Sequence, residues 1–332
     1  MIHVSNLSKT FYVHKKEAGL RASLRSLFRR EKVEKHAVRN VSFDVGPGEI
    51  VGLVGANGAG KTTLVKMLSG IVHPSSGEAR VLGFEPWKRS NALRQQIALI
   101  MGQKASLWWD LPAADCFLLL KEIYSIPTAT FDRRLRFLTE TLQVAEQLTT
   151  QLRRLSLGER MKMELIATLL HAPRVVFLDE PTIGLDLAAQ RSIREFLLQY
   201  REEHKPAMIL TSHYMEDIET LCERILLIQE GSLVFDGPLV DVMHRYSPHK
   251  VLTAYFQNPW TAAERKQAIF PGEVIEIDQK HVRLRVPRDE ISKCTKELLT
   301  RYAVADISIE ESEIGDVIEE IFREGSLPGS QP

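Results

Sequence analysis

The feature that most constrains this chain is residues 55–62, GANGAGKT, which match the pattern GxxxxGK[ST]. A strand-like stretch, residues 49–54, precedes them, and a helix-like stretch, residues 64–68, follows. Glycines let the backbone wrap closely around an anion, and its N–H groups and the helix N-terminus supply partial positive charge. These residues therefore predict a phosphate-binding loop. The residues of this loop that are expected to bind the nucleotide are Gly55, Asn57, Gly58, Gly60, Lys61, Thr62 and Thr63.

A second run, residues 175–180, is an apolar strand that ends in two acidic residues. Together with the phosphate-binding loop it predicts Mg²⁺ binding and activation of a water molecule. Lys61 is expected to reach the β- and γ-phosphates, and the Thr62 hydroxyl to bind Mg²⁺. Asp179 fits a carboxylate that holds Mg²⁺ through water, and Glu180 fits a base that orients the attacking water. Together the two runs predict ATP hydrolysis with Mg²⁺.

Strand-like and helix-like stretches alternate over residues 2–240, which predicts an α/β fold with parallel strands. The expected strands are 2–7, 41–45, 49–54, 174–178, 207–210 and 225–229. Residues 101–160 are rich in helix formers, and a further helix is expected at 187–200. Residues 241–332 change in character and predict a small α+β domain, with a ferredoxin-like arrangement as one candidate. It has strands near 251–256, 272–277, 281–286 and 305–310 and helices near 289–302 and 314–322.

Composition restricts the possible partners and location. The formal net charge is zero, so no global basic field favours nucleic acid, and the three cysteines form no CxxC pair. No apolar run approaches the ~20 residues that span a bilayer, and the first residues lack a signal-peptide core. We therefore expect a cytoplasmic chain whose membrane spans, if it acts at a membrane, belong to another chain.

Six ordered motifs within residues 2–240 resemble the ABC ATPase family. Besides the two runs above, Gln103 fits the Q-loop, residues 155–160 (LSLGER) the signature, residues 184–186 the D-loop, and His213 the switch histidine. The resemblance implies a P-loop core with a helical subdomain at about 102–165. It also implies a head-to-tail dimer, as a homodimer or with a paired ATPase, that binds two ATPs between the subunits.

The resemblance also implies roles for individual residues. Ser156 and Gly158 of one subunit would contact the γ-phosphate bound by the other, and Asp186 of the D-loop would also bind the nucleotide. His213 would contact the same phosphate, as a catalytic residue beside Glu180. Gln103 would touch Mg²⁺ and report nucleotide state to a membrane permease.

Two features depart from the family pattern. The usual signature is LSGGQ, and here Leu157 replaces the first glycine and Glu159 replaces the glutamine. A carboxylate near a triphosphate is electrostatically unfavourable unless it turns away or pairs with Arg160. Glu159 is therefore not assigned to phosphate. The adenine-stacking aromatic is Phe11 by the Lys-x spacing of the family, with Tyr12 as the alternative.

Three further features resemble exporter ATPases. Residues 14–35 carry eight Lys or Arg and three Glu, with Leu20, Leu24, Leu27 and Phe28 on one face of a possible helix. Such a helix would lie on a membrane surface, as in polysaccharide exporters, and a solvated charged hairpin is the alternative. The C-terminal domain resembles that of daunorubicin-resistance ATPases, and residues 101–112 resemble viologen-type exporters.

An exporter subunit is therefore expected, peripheral on the inner face of the membrane and bound to integral permease subunits. Trp108 and Trp109 follow the Q-loop and suit an anchor for the permease, although one of them fits a core position equally well. A non-transport ABC ATPase, and export of a polysaccharide or lipid in place of a drug, are the alternatives.

Overall fold

The computed structural model describes residues 1–14, 32–102, 106–246 and 249–311, together with residues 315, 317 and 318. Gln103 and most of the basic segment, residues 15–31, lie outside the described residues, as does most of the helix predicted at 314–322. The chain forms two compact units, Met1–Gly237 and Pro238–Pro332.

The first unit contains two sheets. Its strands are β1 (Ile2–His14), β2 (Lys32–Val45), β3 (Ile50–Val54), β4 (Ser76–Val81), β5 (Ile97–Met101), β6 (Val175–Asp179), β7 (Ala207–Thr211), β8 (Arg224–Gln229) and β9 (Ser232–Pro238). Its helices are α1 (Lys61–Leu68), α2 (Asn91–Arg94), α3 (Ala113–Ile123), α4 (Thr128–Thr141), α5 (Leu157–Leu169), α6 (Leu187–His204) and α7 (Met215–Leu221).

The larger sheet has the strand order β5-β6-β7-β3-β8-β9, and its pairs from β5 to β8 are parallel. Every residue of β3, β6 and β7 is buried, because helices cover both faces of a parallel sheet. The carboxyl ends of β3 and β6 therefore bring the two predicted motif runs to one edge. The predicted α/β fold class is confirmed.

The smaller sheet, β2-β1-β4, is antiparallel, and its first two strands are longer than the sequence predicts. β1 continues to His14 and β2 begins at Lys32, whereas the expected strands cover only 2–7 and 41–45. The prediction that residues 14 and 32–35 leave the strands is wrong. Cross-strand pairs from Phe11↔Lys35 to His14↔Lys32 hold these mostly polar residues extended, since ladder hydrogen bonds do not require an apolar side-chain pattern.

The second unit contains a βαββαβ fold preceded by a helix. Its elements are α8 (Leu239–Tyr246), β10 (His249–Phe256), α9 (Ala262–Gln267), β11 (Glu273–Ile277), β12 (His281–Pro287), α10 (Ile291–Arg301) and β13 (Val304–Glu311). The strand order is β11-β12-β10-β13 with antiparallel pairing throughout, which is the ferredoxin-like arrangement. Its core packs Leu252, Leu284 and neighbours against Leu298 of α10.

The predicted set of elements omitted two helices of this unit, α8 and α9. α9 has six residues, too few for a helical period to be read. Its start carries a readable signal, because Thr261 and Glu264 form a capping box. Among the helices that the structure describes, none combines the length and apolar composition needed to cross a bilayer.

Candidate nucleotide-binding site

The phosphate-binding loop lies between two carbonyl groups that leave room only for glycine. A Cβ on Gly60, whose φ is +112°, would lie 2.2 Å from the carbonyl oxygen of Ala37 in β2. A Cβ on Gly55 would lie 2.4 Å from the carbonyl oxygen of Ile228 in β8. The two glycines therefore let the loop pass closely between its neighbours and begin α1 at Lys61.

A cavity of about 470 Å³ opens above this loop. Its lining residues are Phe11, Tyr12, Lys35, Ala37, Asn57, Gly58, Gly60, Lys61, Thr62, Thr63 and Glu180. Phe11 and Tyr12 both reach it, with Phe11 37% and Tyr12 63% exposed, so both aromatic candidates face the same space. Lys9 Nζ lies 5.1 Å from the Phe11 ring centre.

The Lys61 ammonium is buried at the base of the cavity. It donates to the carbonyl oxygens of Gly55 at 2.5 Å and Ala56 at 3.2 Å. Burial lowers its pKa, while the charges of Glu180 and Asp179 raise it. A desolvated cation beside the loop gains more from a bound phosphate than one in water, because the local dielectric is lower.

Thr62 and Asp179 supply the oxygen ligands that Mg²⁺ prefers. The Thr62 hydroxyl lies 3.3 Å from Asp179 Oδ1, which also accepts from the Thr211 hydroxyl at 2.7 Å. The described residues contain no group of three or more His, Cys, Asp and Glu side chains that could hold a metal. One carboxylate and one hydroxyl nevertheless fit Mg²⁺, which takes few protein ligands and completes its shell with water and substrate phosphates.

Glu180 follows β6 in an unusual backbone conformation, with φ +59°. Its N–H donates to the carbonyl oxygen of Thr211 at 3.0 Å, and its Oε1 lies 2.9 Å from His213 Nε2. A Cβ on Gly102 would lie 2.0 Å from the Glu180 carbonyl oxygen, so the chain just before Gln103 packs directly against this turn. The structure thus brings both predicted catalytic residues into contact beside the cavity.

The other predicted site residues lie elsewhere. Ser156 caps α5, and the Asp186 carboxylate caps α6 by accepting from the Ala189 N–H at 2.8 Å. None of Ser156, Gly158 and Asp186 lines the cavity. The start of α5 instead packs on the start of α6, where a Cβ on Gly158 would lie 3.1 Å from Ala189 Cβ.

Sequence reasoning missed the polar residues behind the site. Thr211 binds Asp179, and the buried Asp217 binds the hydroxyls of Thr182 and Ser212. Their only sequence signal is their position next to the motifs, in the runs EPT and TSHYMED.

A strand, a phosphate-binding loop and a helix, with an acidic strand end beside them, define a P-loop nucleoside-triphosphatase core. Comparison with known proteins gives the family. The family described as "ABC transporter" matches residues 38–183, and "EvrA-like ABC transporter, C-terminal domain" matches residues 248–310. The chain belongs to the ABC transporter ATP-binding proteins, as its motifs predicted, and it binds and hydrolyses ATP.

The relatives match over about two thirds of this chain. The ABC transporter ATP-binding protein NatA of Bacillus subtilis is 31% identical over 210 residues, 63% of this chain and 85% of NatA. Linearmycin resistance ATP-binding protein LnrL of the same species is 32% identical over 212 residues, 64% of this chain and 68% of LnrL. Doxorubicin resistance ATP-binding protein DrrA of Mycobacterium tuberculosis is 30% identical, covering 63% of this chain and 62% of DrrA.

Solved structures agree on the fold. The ATP-binding subunit of an ABC transporter superposes with a TM-score of 0.61 at 23% identity, over 74% of this chain and 92% of that one. The ATP-binding cassette MJ0796, a dimer in a post-hydrolysis state bound to ADP and Pi, superposes with a TM-score of 0.59 at 19% identity. The superposition covers 72% of this chain and 98% of that one.

Proposed function

We propose that this chain is the ATP-hydrolysing subunit of a membrane exporter. In this proposal ATP binds at the cavity above Lys61, with Phe11 or Tyr12 against the base. Glu180 orients and deprotonates the attacking water, and His213 contacts the γ-phosphate. The observation that carries the proposed mechanism of hydrolysis is the 2.9 Å contact between Glu180 Oε1 and His213 Nε2 at the edge of that cavity.

The local geometry supports these roles for Glu180 and His213. Two hydrogen bonds from the Glu180 N–H to Thr211 hold the turn, so the carboxylate stays at the end of β6. A base must lie within hydrogen-bond reach of the water it activates, and the partner that orients the base completes such a pair. In this proposal the His213 imidazole orients the Glu180 carboxylate through the contact of Nε2 with Oε1, and it would contact the γ-phosphate of bound ATP.

Thr62 and Asp179 are the proposed Mg²⁺ ligands, with Gln103 as a further one. Bound Mg²⁺ would neutralise charge on the β- and γ-phosphates. The Asp179 carboxylate is held for this by the hydroxyls of Thr62 and Thr211.

The remaining predicted ligands, Ser156, Gly158 and Asp186, are proposed to act on the ATP of a partner subunit. They lie away from the cavity of their own chain, at the starts of α5 and α6. Two copies placed head to tail would bring each of these helix starts onto the other copy's triphosphate. A helix N-terminus favours an anion there.

Exposed apolar side chains on the segment after Gln103 and on α3 support a permease partner. Trp108 and Trp109 are both about half exposed, so neither is a core residue, and Arg160 lies 4.9 Å from the Trp109 ring centre. On α3, Leu119 and Ile123 are 44% and 62% exposed one turn apart. Apolar groups rimmed by polar ones mark protein interfaces, and a coupling segment of a permease suits this one.

Export and a position on the inner face of the membrane are inferred from relatives. Doxorubicin resistance ATP-binding protein DrrA and Nod factor export ATP-binding protein I, from Neorhizobium galegae and 30% identical over 226 residues, are named for resistance and for export. The surface around Trp108 and Trp109 gives the chain a way to bind membrane-spanning subunits.

The test compares two substitutions in the purified chain. Glu180→Gln should keep ATP affinity and lower turnover by about 10²-fold or more, because it removes a general base and preserves shape. Lys61→Ala should weaken ATP binding itself. Affinity measured with a fluorescent ATP analogue and phosphate release measured with Mg²⁺ separate the two effects. Turnover of Glu180→Gln at the wild-type rate would remove Glu180 from the mechanism.

A further inference from the structure

A buried polar cluster lies directly behind the catalytic pair. Its members are Thr182, Arg194, Ser212 and Asp217, hereafter the Asp217 cluster. Each is at most 5% exposed. They come from three places: the turn after β6, helix α6, and the segment from the end of β7 into α7.

Asp217 is the centre of this cluster, since both of its carboxylate oxygens are occupied. Oδ1 accepts from Arg194 Nη1 at 2.9 Å. Oδ2 accepts from the Ser212 hydroxyl at 2.6 Å and from the Thr182 hydroxyl. The second Arg194 nitrogen, Nη2, donates to the more exposed Glu216 at 2.8 Å.

The two hydroxyl groups join the segments that carry the catalytic pair. Thr182 lies two residues after Glu180, and Ser212 lies one residue before His213. The Ser212 hydroxyl oxygen also accepts from the Tyr214 N–H at 3.0 Å, so the backbone is held on both sides of His213. The Asp217 carboxylate therefore links the two segments whose side chains meet at 2.9 Å, in addition to the hydrogen bonds from the Glu180 N–H to Thr211.

Stability alone is a poor reason for such a cluster. Burying an ion pair costs desolvation that its attraction often fails to recover, and apolar residues of similar volume pack as well or better. What apolar residues cannot supply is direction, because hydrogen bonds fix distance and angle. The cluster thus fits a positioning role at a site where small displacements matter.

We propose that Asp217 is the positioning residue of this ATPase: it holds the His213 segment against the Glu180 segment through Ser212 and Thr182. Arg194 keeps the Asp217 carboxylate in place, and it lies on the helix that Asp186 caps, so the same cluster ties the D-loop helix to the switch histidine. The proposal rests on the proposed roles of Glu180 and His213.

The first test uses pairs of substitutions in the purified chain. Thr182→Val removes one hydroxyl group at constant volume, and Thr182→Ser retains it. Ser212→Ala removes the other hydroxyl group and leaves the Arg194–Asp217 pair intact. We expect kcat to fall by up to about 10²-fold in Thr182→Val and Ser212→Ala, the scale of a 1 Å misplacement, with KM little changed. Thr182→Ser should retain most of the wild-type kcat.

Asp217→Asn and Glu216→Gln form the matched carboxylate pair. Both remove a negative charge from Arg194, but only Asp217 holds the hydroxyls of Thr182 and Ser212. Asp217→Asn should lower kcat, and Glu216→Gln should leave it near the wild-type value. Thermal unfolding and ATP affinity show which variants are folded. Should Asp217→Asn fail to fold, Thr182→Val and Ser212→Ala decide the question.

A double-substitution cycle separates positioning from general damage. If Ser212 acts through His213, Ser212→Ala should have no further effect on kcat in a His213→Ala background. An equal reduction in both backgrounds, or a wild-type kcat in Thr182→Val and Ser212→Ala, would overturn the positioning role. Glu180→Gln, assayed alongside, keeps the two proposals distinct: if it is inactive while Thr182→Val is normal, only the positioning role fails. Full turnover in Glu180→Gln overturns both.

Discussion

Glu159, the acidic residue of the signature, turns back onto the start of its own helix. Its Oε2 accepts from the Ser156 N–H at 2.9 Å and from the Ser156 hydroxyl at 2.8 Å, whereas Arg160 lies over the Trp109 ring. These hydrogen bonds lower its pKa, and the nearby charge of Lys162 adds to the effect. The carboxylate therefore stabilises the helix start at neutral pH, and this stabilisation is lost as the pH falls through the lowered value.

We expect Glu159→Gln to strengthen ATP-driven association of two copies. The amide oxygen can still accept from the Ser156 N–H, while the negative charge that would lie near the partner's triphosphate in the proposed dimer is removed. Two unit charges 4 Å apart in water interact by about 1 kcal/mol, which predicts a severalfold lower ATP concentration at half-association. Light scattering during an ATP titration measures this.

Glu264→Gln is the matched control for this substitution. Thr261 and Glu264 form the same capping box in the second unit, outside the nucleotide-binding unit. Glu264→Gln should leave the ATP concentration at half-association unchanged. The same titration midpoint for wild type and Glu159→Gln would contradict a signature that faces the partner's phosphate.

At the scale of the element, the β1–β2 hairpin separates the nucleotide site from the basic segment. His14 and Lys32 are directly paired, so a two-residue Asn-Gly turn can join them in place of residues 15–31. The replacement leaves Phe11, Tyr12 and Lys35 in register at the cavity. We expect ATP hydrolysis by the purified chain to be unchanged, while binding to anionic vesicles and transport by the assembled complex fall.

Charge substitutions within the segment test the reason for that decrease. Changing Arg21, Arg25, Arg29 and Arg30 together to Gln should weaken vesicle binding by about 1 kcal/mol for each arginine that meets an anionic headgroup. The same four changed to Lys should retain binding, and added salt should weaken the wild type. Vesicle binding that is unchanged by the Gln variant would favour a charged hairpin without a lipid partner. If replacing residues 15–31 abolished ATP hydrolysis, the segment would have to be part of the folded core of the ATPase unit.

At the scale of the whole molecule, we propose that two copies share each ATP site. The nucleotide cavity and the start of the signature helix lie apart on one chain, so in the proposed dimer the bound triphosphate would supply part of the interface. We expect the purified chain to be a monomer without nucleotide and the Glu180→Gln variant to be a dimer with ATP. Light scattering measures both states. Glu180→Gln combined with Lys61→Ala should stay monomeric with ATP. A stable dimer without nucleotide would show that the second unit, or another surface, holds the pair.

The chemistry of the phosphate loop was readable from the sequence alone. The pattern GxxxxGK[ST] brings Gly55, Gly60, Lys61 and Thr62 close together in the chain, because a phosphate-binding loop uses backbone N–H groups and side chains of one short segment. The α/β class was readable for a related reason, since fully buried parallel strands are continuous apolar runs. Both properties depend on neighbours in sequence.

Only the tertiary structure decided how distant segments meet. The hydrogen bonds of Thr182 and Ser212 with Asp217, and the 2.9 Å contact of Glu180 with His213, join residues from different elements that no local period connects. The length of β1 and β2 likewise depended on pairing between strands whose polar residues carry no apolar alternation. The hydrophobic pattern of a segment indicates which of its faces is buried. The hydrogen-bond partners of its polar residues depend on which distant segments lie beside it in the folded protein.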